Sequence, residues 1–226
     1  MSTRGKTVLF QGDSITDAGR PRQAEHDPTP ANPFPPYLGH GYANLIAARL
    51  GFQLAESGHR FANRGLGGNR VSDLYARWNE DAFSLKPDLI SILIGVNDAW
   101  RIVNRLPQGA TNRFERAYRH LLEETKEVLP GTGLVLCEPF ILKGTHTEES
   151  WEELRGLTDS YGQIVRALAA EYDAVFVALQ EPFDRALERA EASFWIHDGI
   201  HPSAAGHELI AAQWLKAVQE SRLALT

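Results

Sequence analysis

The chain predicts an α/β fold in which a parallel β-sheet is covered by helices on both faces. Three observations lead there. Short apolar runs alternate with amphipathic segments from end to end, the pattern of βα units. Most of the apolar runs carry adjacent Val, Ile, Leu or Phe with no polar alternation, as strands buried on both faces do. The amphipathic segments repeat their large apolar residues at intervals of three and four, as helices with one buried face do.

The elements follow in order. Predicted strands are Thr7–Gln11, Arg60–Asn63, Asp88–Ile94, Leu134–Glu138 and Ala174–Val177, with Arg60–Asn63 the least patterned. Val71, Leu74, Tyr75, Trp78 and Ala82 form one helical stripe. Phe114, Ala117, Tyr118, Leu121, Leu122 and Thr125 form a second, and Ile210, Trp214 and Val218 a third near the C-terminus. These large residues read as core contacts. No internal repeat and no second composition regime interrupts the pattern, so residues 1–226 read as a single domain.

Composition narrows the function classes. Hydrophobic content of 43% and charged content of 23% are ordinary for a globular protein. A net charge of −6 argues against general nucleic-acid binding, which relies on clustered Lys and Arg. The single cysteine, Cys137, lies in an apolar run and reads as a small buried hydrophobe, not a nucleophile. Met1–Lys6 has no apolar leader pattern, and no apolar run has the length of a membrane span. The expectation is a cytoplasmic protein with no membrane association and no cofactor.

The first strand ends in Gly12-Asp13-Ser14-Ile15-Thr16, which puts a serine where open α/β sheets place ligands. A serine hydroxyl becomes a nucleophile only when a base takes its proton, and histidine is the base suited to neutral pH. Asp198-Gly-Ile-His201-Pro202 supplies an acid and a base three residues apart, a spacing that shares one face of a helical turn. Pro202 reads as the entry to the last helix. Each residue taken singly has a plainer reading: Ser14 and Asp198 as turn residues, His201 as a surface histidine near a helix start. A metal reading also exists, because His197 and His201 are four apart with Asp198 between them. It needs a continuous helix, which Gly199 and Pro202 oppose, so no metal is assigned.

Two further segments suit an acyl-transfer site. In Asn63-Arg-Gly65-Leu-Gly67-Gly68-Asn69 a backbone N–H could meet an oxyanion. The glycine spacing is not that of a dinucleotide loop. The third strand ends Gly95-Val-Asn97-Asp98-Ala-Trp100-Arg101, where the Asn97 amide could donate to the same oxyanion.

These four segments together resemble the SGNH hydrolases, the GDSL lipase/acylhydrolase family, over nearly the whole chain. The resemblance implies a three-layer α/β/α sandwich with a five-stranded, flavodoxin-like parallel sheet. It implies Ser14 as nucleophile, Asp198 and His201 as acid and base, and Ser14, Gly68 and Asn97 as oxyanion donors. Within the family the chain is most similar to intracellular bacterial acetylxylan esterases, through Gly12–Arg20, Ala76–Asp81, Lys86–Asp88, Ile94–Arg101 and His201–His207. It departs from them at His197, where that subgroup often has tryptophan, and in the proline-rich loop after Arg20, within the segment Asp17–His40 that holds six of the twelve prolines.

The expected activity is hydrolysis of short acyl, above all acetyl, esters of a small acylated substrate such as a xylo-oligosaccharide. The alternatives are a lysophospholipase, thioesterase or arylesterase with the same triad, or a catalytically dead carbohydrate-binding relative. Asp13, Arg20, Trp100, Arg101 and His197 are the expected substrate contacts, with Arg22 also at the mouth. Trp78 reads first as core, and His207 as structural. The proline-rich segment and the polar loop Lys143–Ser150 both follow strand ends and are candidate walls of a cleft. A homo-oligomer is expected from the related esterases, and the proline-rich segment is a possible contact for it.

Overall fold

The computed structural model describes residues 5–21, 38–106 and 111–225. Five strands, β1 (Thr7–Gly12), β2 (Arg60–Asn63), β3 (Leu89–Leu93), β4 (Gly133–Cys137) and β5 (Val175–Val177), form one parallel sheet in the order β2-β1-β3-β4-β5. The helices are α1 (Ser14–Asp17), α2 (Tyr42–Gln53), α3 (Val71–Ala76), α4 (Val96–Val103), α5 (Thr111–Val128), α6 (Trp151–Glu171), α7 (Gln180–Ala186), α8 (Ala192–Trp195) and α9 (Ala204–Gln219). On one face α2 packs on α9. On the other, α3 packs on α5, and α6 packs on α4 and α5. This is the expected three-layer α/β/α sandwich.

The unbroken apolar runs have the burial that parallel strands require. Every residue of β1 and β3 is buried. Phe10 of β1 meets Tyr42 of α2 edge-on at 5.8 Å and Trp214 of α9 at 5.7 Å, which fixes one helical layer. Trp214 Nε1 donates to Ser91 Oγ of β3 at 2.9 Å, so the indole's polar end is satisfied inside the core. Trp78 is buried and donates to Thr125 Oγ1 at 2.8 Å, tying the segment after α3 to α5. It is a core residue and not part of a cleft mouth.

Strand ends differ from the prediction where a side chain has other work. Asp88 stays outside β3 because its Oδ2 accepts the Thr7 N–H at 2.7 Å, bracketing the foot of β1. Glu138 stays outside β4 because its Oε2 accepts the N–H groups of Leu179 and Gln180. The first helical stripe is not one helix. It passes from α3 into a π-helical turn, Asn79–Phe83, and Tyr75 stands 40% exposed instead of joining the core. Pro202 does not open α9: Ser203 caps that helix, its hydroxyl accepting from Gly206 N–H at 3.2 Å.

The register decides where chemistry can occur. Phe10 pairs with Asn63 on one side and Ser91 on the other, and Gly12 pairs with Leu93. The exits of β1, β2 and β3 therefore lie side by side, at the point where the strand order reverses.

Because Trp214 bridges α9 to the sheet, Trp214→Ala should cost about 3–5 kcal/mol of unfolding free energy, read from a urea denaturation midpoint.

Candidate active site

Ser14 begins the short helix α1 directly after β1. Gly12 is required there: a Cβ would lie 2.2 Å from Thr16 Oγ1 and 2.4 Å from the Leu93 carbonyl oxygen. Asp13 caps α1, its carboxylate accepting the Ile15 N–H at 3.0 Å. Asp13 is buried, which corrects its expected role as a substrate contact. Burial pushes its carboxyl up to about 7, against the opposing pull of the Ile15 N–H and the His201 charge.

Ser14 Oγ lies 3.0 Å from His201 Nε2, and His201 Nδ1 lies 2.6 Å from Asp198 Oδ2. A carboxylate only accepts, so Nδ1–H donates to Asp198, and Nε2 is left to accept the serine proton. The other oxygen of Asp198 accepts the N–H groups of Ile200 at 2.9 Å and His201 at 2.7 Å. Asp198 and His201 thus meet through a compact Asx-type turn, not through a helical turn. Burial alone would raise the Asp198 carboxyl. The His201 N–H and ring, with the Ile200 N–H, outweigh it and lower the group to about 2. Asp198 is therefore ionised throughout the neutral range.

The loop after β2 contributes backbone. Gly65 N–H donates to Asn63 Oδ1 at 2.8 Å, and Gly67 N–H donates to Asp17 Oδ2 at 3.1 Å. Among the described residues the Gly68 N–H has no hydrogen-bond partner. Gly68 has φ = +78°, a conformation that favours glycine. Asn97, in the first turn of α4, donates one amide hydrogen to the Asn69 carbonyl at 3.0 Å and keeps the other. Asn69 is itself held, its Oδ1 accepting Arg77 Nε at 2.9 Å. Arg77 also donates to the Arg64 carbonyl and pairs with Asp81, and burial lowers its guanidinium to about 10.

Asn97, Trp100, Asn104, His146, Ile200 and His201 line a cleft of about 310 Å³, at the small end of ligand sites. The other expected contacts are placed differently. Arg20 uses its Nε on the Gly65 carbonyl at 2.8 Å, supporting the glycine loop. Arg101 is not among the lining residues and instead lends its charge to Asp73. His197 lies mostly in solvent, its ring 6.1 Å from that of His201. The chain there forms an antiparallel bridge, Ile196 to Pro202, so the helical metal pair of His197 and His201 does not form. Arg22 and the centre of the proline-rich segment lie outside the described residues.

Sequence reasoning missed two participants. Asn63 ends β2 and donates to the carbonyls of Thr16 and Leu38, tying the serine turn to the next layer. His146, in the loop Lys143–Ser150, has Nδ1 3.1 Å from Asp198 Oδ2 and its backbone N–H 2.9 Å from the Asp198 carbonyl. Its only sequence signal is a histidine in a polar loop after a strand. Cys137 and His207 are as expected. Burial pushes the thiol up to about 12, and His207, lowered to about 4 by burial, accepts the Tyr42 N–H.

The family model of the GDSL-like lipase/acylhydrolase family matches residues 10–209. The chain belongs to that family. It is 36% identical over 219 residues to an acetylxylan esterase of Geobacillus stearothermophilus, covering 95% of this chain and 94% of that protein. Among solved structures, a protein of Parabacteroides merdae described as a GDSL-like lipase superposes with a TM-score of 0.87 at 38% identity, covering 96% of this chain and 97% of that one. The acetylxylan esterase Axe2 of Geobacillus stearothermophilus superposes with a TM-score of 0.83 at 33% identity, covering 100% and 99%. Membership and likeness together make this GDSL-family chain a carboxylic ester hydrolase.

Asp198 is held lower in the folded chain than its ordinary 3.8, so its ionised form stabilises the fold above that value and this contribution is lost as pH falls towards 2. The unfolding free-energy difference between the wild type and Asp198→Asn should shrink between about pH 4 and 2, followed by urea denaturation at stepped pH.

Proposed function

We propose that this protein removes short acyl groups, acetyl above all, from sugar esters of the xylo-oligosaccharide type, through an acyl-serine intermediate. The observation that carries the chemistry is the hydrogen-bonded line from Ser14 Oγ through His201 to Asp198, at 3.0 and 2.6 Å. His201 Nε2 takes the Ser14 proton as Oγ attacks the ester carbonyl. Asp198 stays ionised, holds the tautomer and stabilises the imidazolium. The oxyanion is met by the Gly68 N–H, the free Asn97 amide hydrogen and the Ser14 N–H. His201 then protonates the departing alcohol and activates water for deacylation.

The free Gly68 N–H supports choosing that glycine over Gly65 and Gly67, whose donors are occupied. The sugar-acetate preference draws on the Geobacillus relative, of which catalytic mutants replacing a serine and an aspartate by alanine have been solved. The small cleft beside Trp100 suits a short acyl group and a ring to stack on. A cytoplasmic location and a homo-oligomer belong to the same reading, carried by the resemblance to the intracellular esterases.

Ser14→Ala should abolish p-nitrophenyl acetate hydrolysis while the far-UV circular dichroism is retained, and undiminished turnover would refute the nucleophile. Asn97→Ala should lower kcat by roughly 10² to 10³ with a much smaller change in KM. Acetate release from acetylated xylo-oligosaccharides, assayed beside acetyl to octanoyl nitrophenyl esters, should show activity falling sharply with chain length. Equal rates on octanoyl esters would favour the lysophospholipase or arylesterase alternatives.

A further inference from the structure

The surroundings of Asp198 contain more imidazole than the proposed proton transfer needs. His201 Nδ1 is 2.6 Å from Asp198 Oδ2, and His146 Nδ1 reaches the same oxygen at 3.1 Å. One candidate ligand atom from each of these three residues lies within 4.8 Å of the others. His146 comes from the loop after β4, while Asp198 and His201 come from the turn before α9. Two main-chain hydrogen bonds join these segments, from Leu142 N–H to the Gly199 carbonyl at 3.0 Å and from His146 N–H to the Asp198 carbonyl at 2.9 Å. The loop is thus fixed at its backbone, whereas the His146 side chain is 60% exposed and open to a small solute.

Two imidazoles and a carboxylate are the donor set of many zinc sites, which leave a fourth place to water. In a tetrahedral site with metal–ligand bonds near 2.0–2.1 Å, ligand atoms stand about 3.3 Å apart. The His146 Nδ1 to Asp198 Oδ2 separation of 3.1 Å is already close to that value. The His201 Nδ1 to Asp198 Oδ2 separation of 2.6 Å is shorter, because a proton lies between them.

We infer that His146, Asp198 and His201 form a latent site for a borderline divalent transition ion of the Zn²⁺ class, and that its occupation switches the enzyme off. The ion replaces the proton between His201 Nδ1 and Asp198 Oδ2, and the ring takes a proton from solvent at Nε2 as it gives up the one at Nδ1, so that it stays a neutral imidazole. With Nδ1 on the ion, imidazole Nε2 carries a proton and cannot accept one from Ser14. Asp198 at the same time gives its charge to the ion. Inhibition rests on the reading of His201 as the base for Ser14, whereas ion binding does not.

The ion alone is the probe. Ser14→Ala removes turnover and keeps all three ligands, so Zn²⁺ is titrated into that protein by calorimetry at pH 7.5. One equivalent should bind, and adding His146→Ala should weaken it at least about tenfold, since loss of a direct ligand exceeds the effect of losing an outer one. With the wild type, Zn²⁺ should inhibit p-nitrophenyl acetate hydrolysis reversibly to EDTA. His146→Ala should raise the inhibiting concentration by the same factor. Absence of stoichiometric binding, or binding unchanged by His146→Ala, overturns the site. Binding that is lost with His146 but leaves ester hydrolysis undiminished overturns the switch. A wild-type protein inactive on every ester without added metal would count against the hydrolase reading and leave the calorimetric result standing.

Discussion

The site depends first on a constraint of register. β1 lies between β2 and β3; it ends level with β3, Gly12 beside Leu93, while β2 ends two residues earlier, with Asn63 beside Phe10. Ser14, the glycine loop and Asn97 are separated by tens of residues in sequence, yet each is the next thing the chain does after leaving the sheet. A parallel sheet with all connections returning to the far edge presents every strand exit on one side. A slip of one residue in β1 would turn Phe10 away from Tyr42 and Trp214 and carry the serine off its level, so core packing and site geometry are set by one alignment.

The carboxylates around Ser14 show how environment assigns different states to one functional group. Asp13 and Asp98 are both buried and both pushed up to about 7, because one backbone N–H each, from Ile15 and Val71, does not offset desolvation. Asp198 is less deeply desolvated, and two N–H groups and an imidazole converge on it, so the balance reverses. The carboxyl that faces the His201 ring is the one built to remain charged. Asp13, although adjacent to Ser14 in sequence, is a cap facing inward, and its burial raises the carboxyl well above the usual carboxylate range.

Much of this was legible in the sequence, and the reasons are local. Unbroken Val, Ile, Leu and Phe runs gave away the strands, and residues at strand exits are adjacent by topology, so Ser14, Asn97 and the glycine loop could be grouped without coordinates. Asp198 and His201 could be paired because they are three positions apart. The rest needed three dimensions. His146 meets Asp198 across 52 positions, through a loop whose path no periodicity encodes. The direction of Asp13 is set by α1 capping, and the engagement of Arg20 with Gly65 by the shape of a loop. Tyr75 has the spacing of a buried stripe yet stands outside the core, because the chain widens into a π turn just beyond it and the helical face ends there.

Arg77 carries a consequence of its own. The guanidinium sits outside the cleft, below Asn69, whose backbone carbonyl steadies the Asn97 amide. An amide anchored through one hydrogen cannot swing, so in the proposed reaction its second hydrogen already points one way when a substrate arrives, and no solvent dipole has to turn as charge develops. The cost of that orientation was met during folding, in the desolvation of a cation that touches no reactant. A half-buried charge in this chain thus works as a stiffener, and the rigidity of a single N–H bond near Ser14 is stored a layer deeper than the cleft.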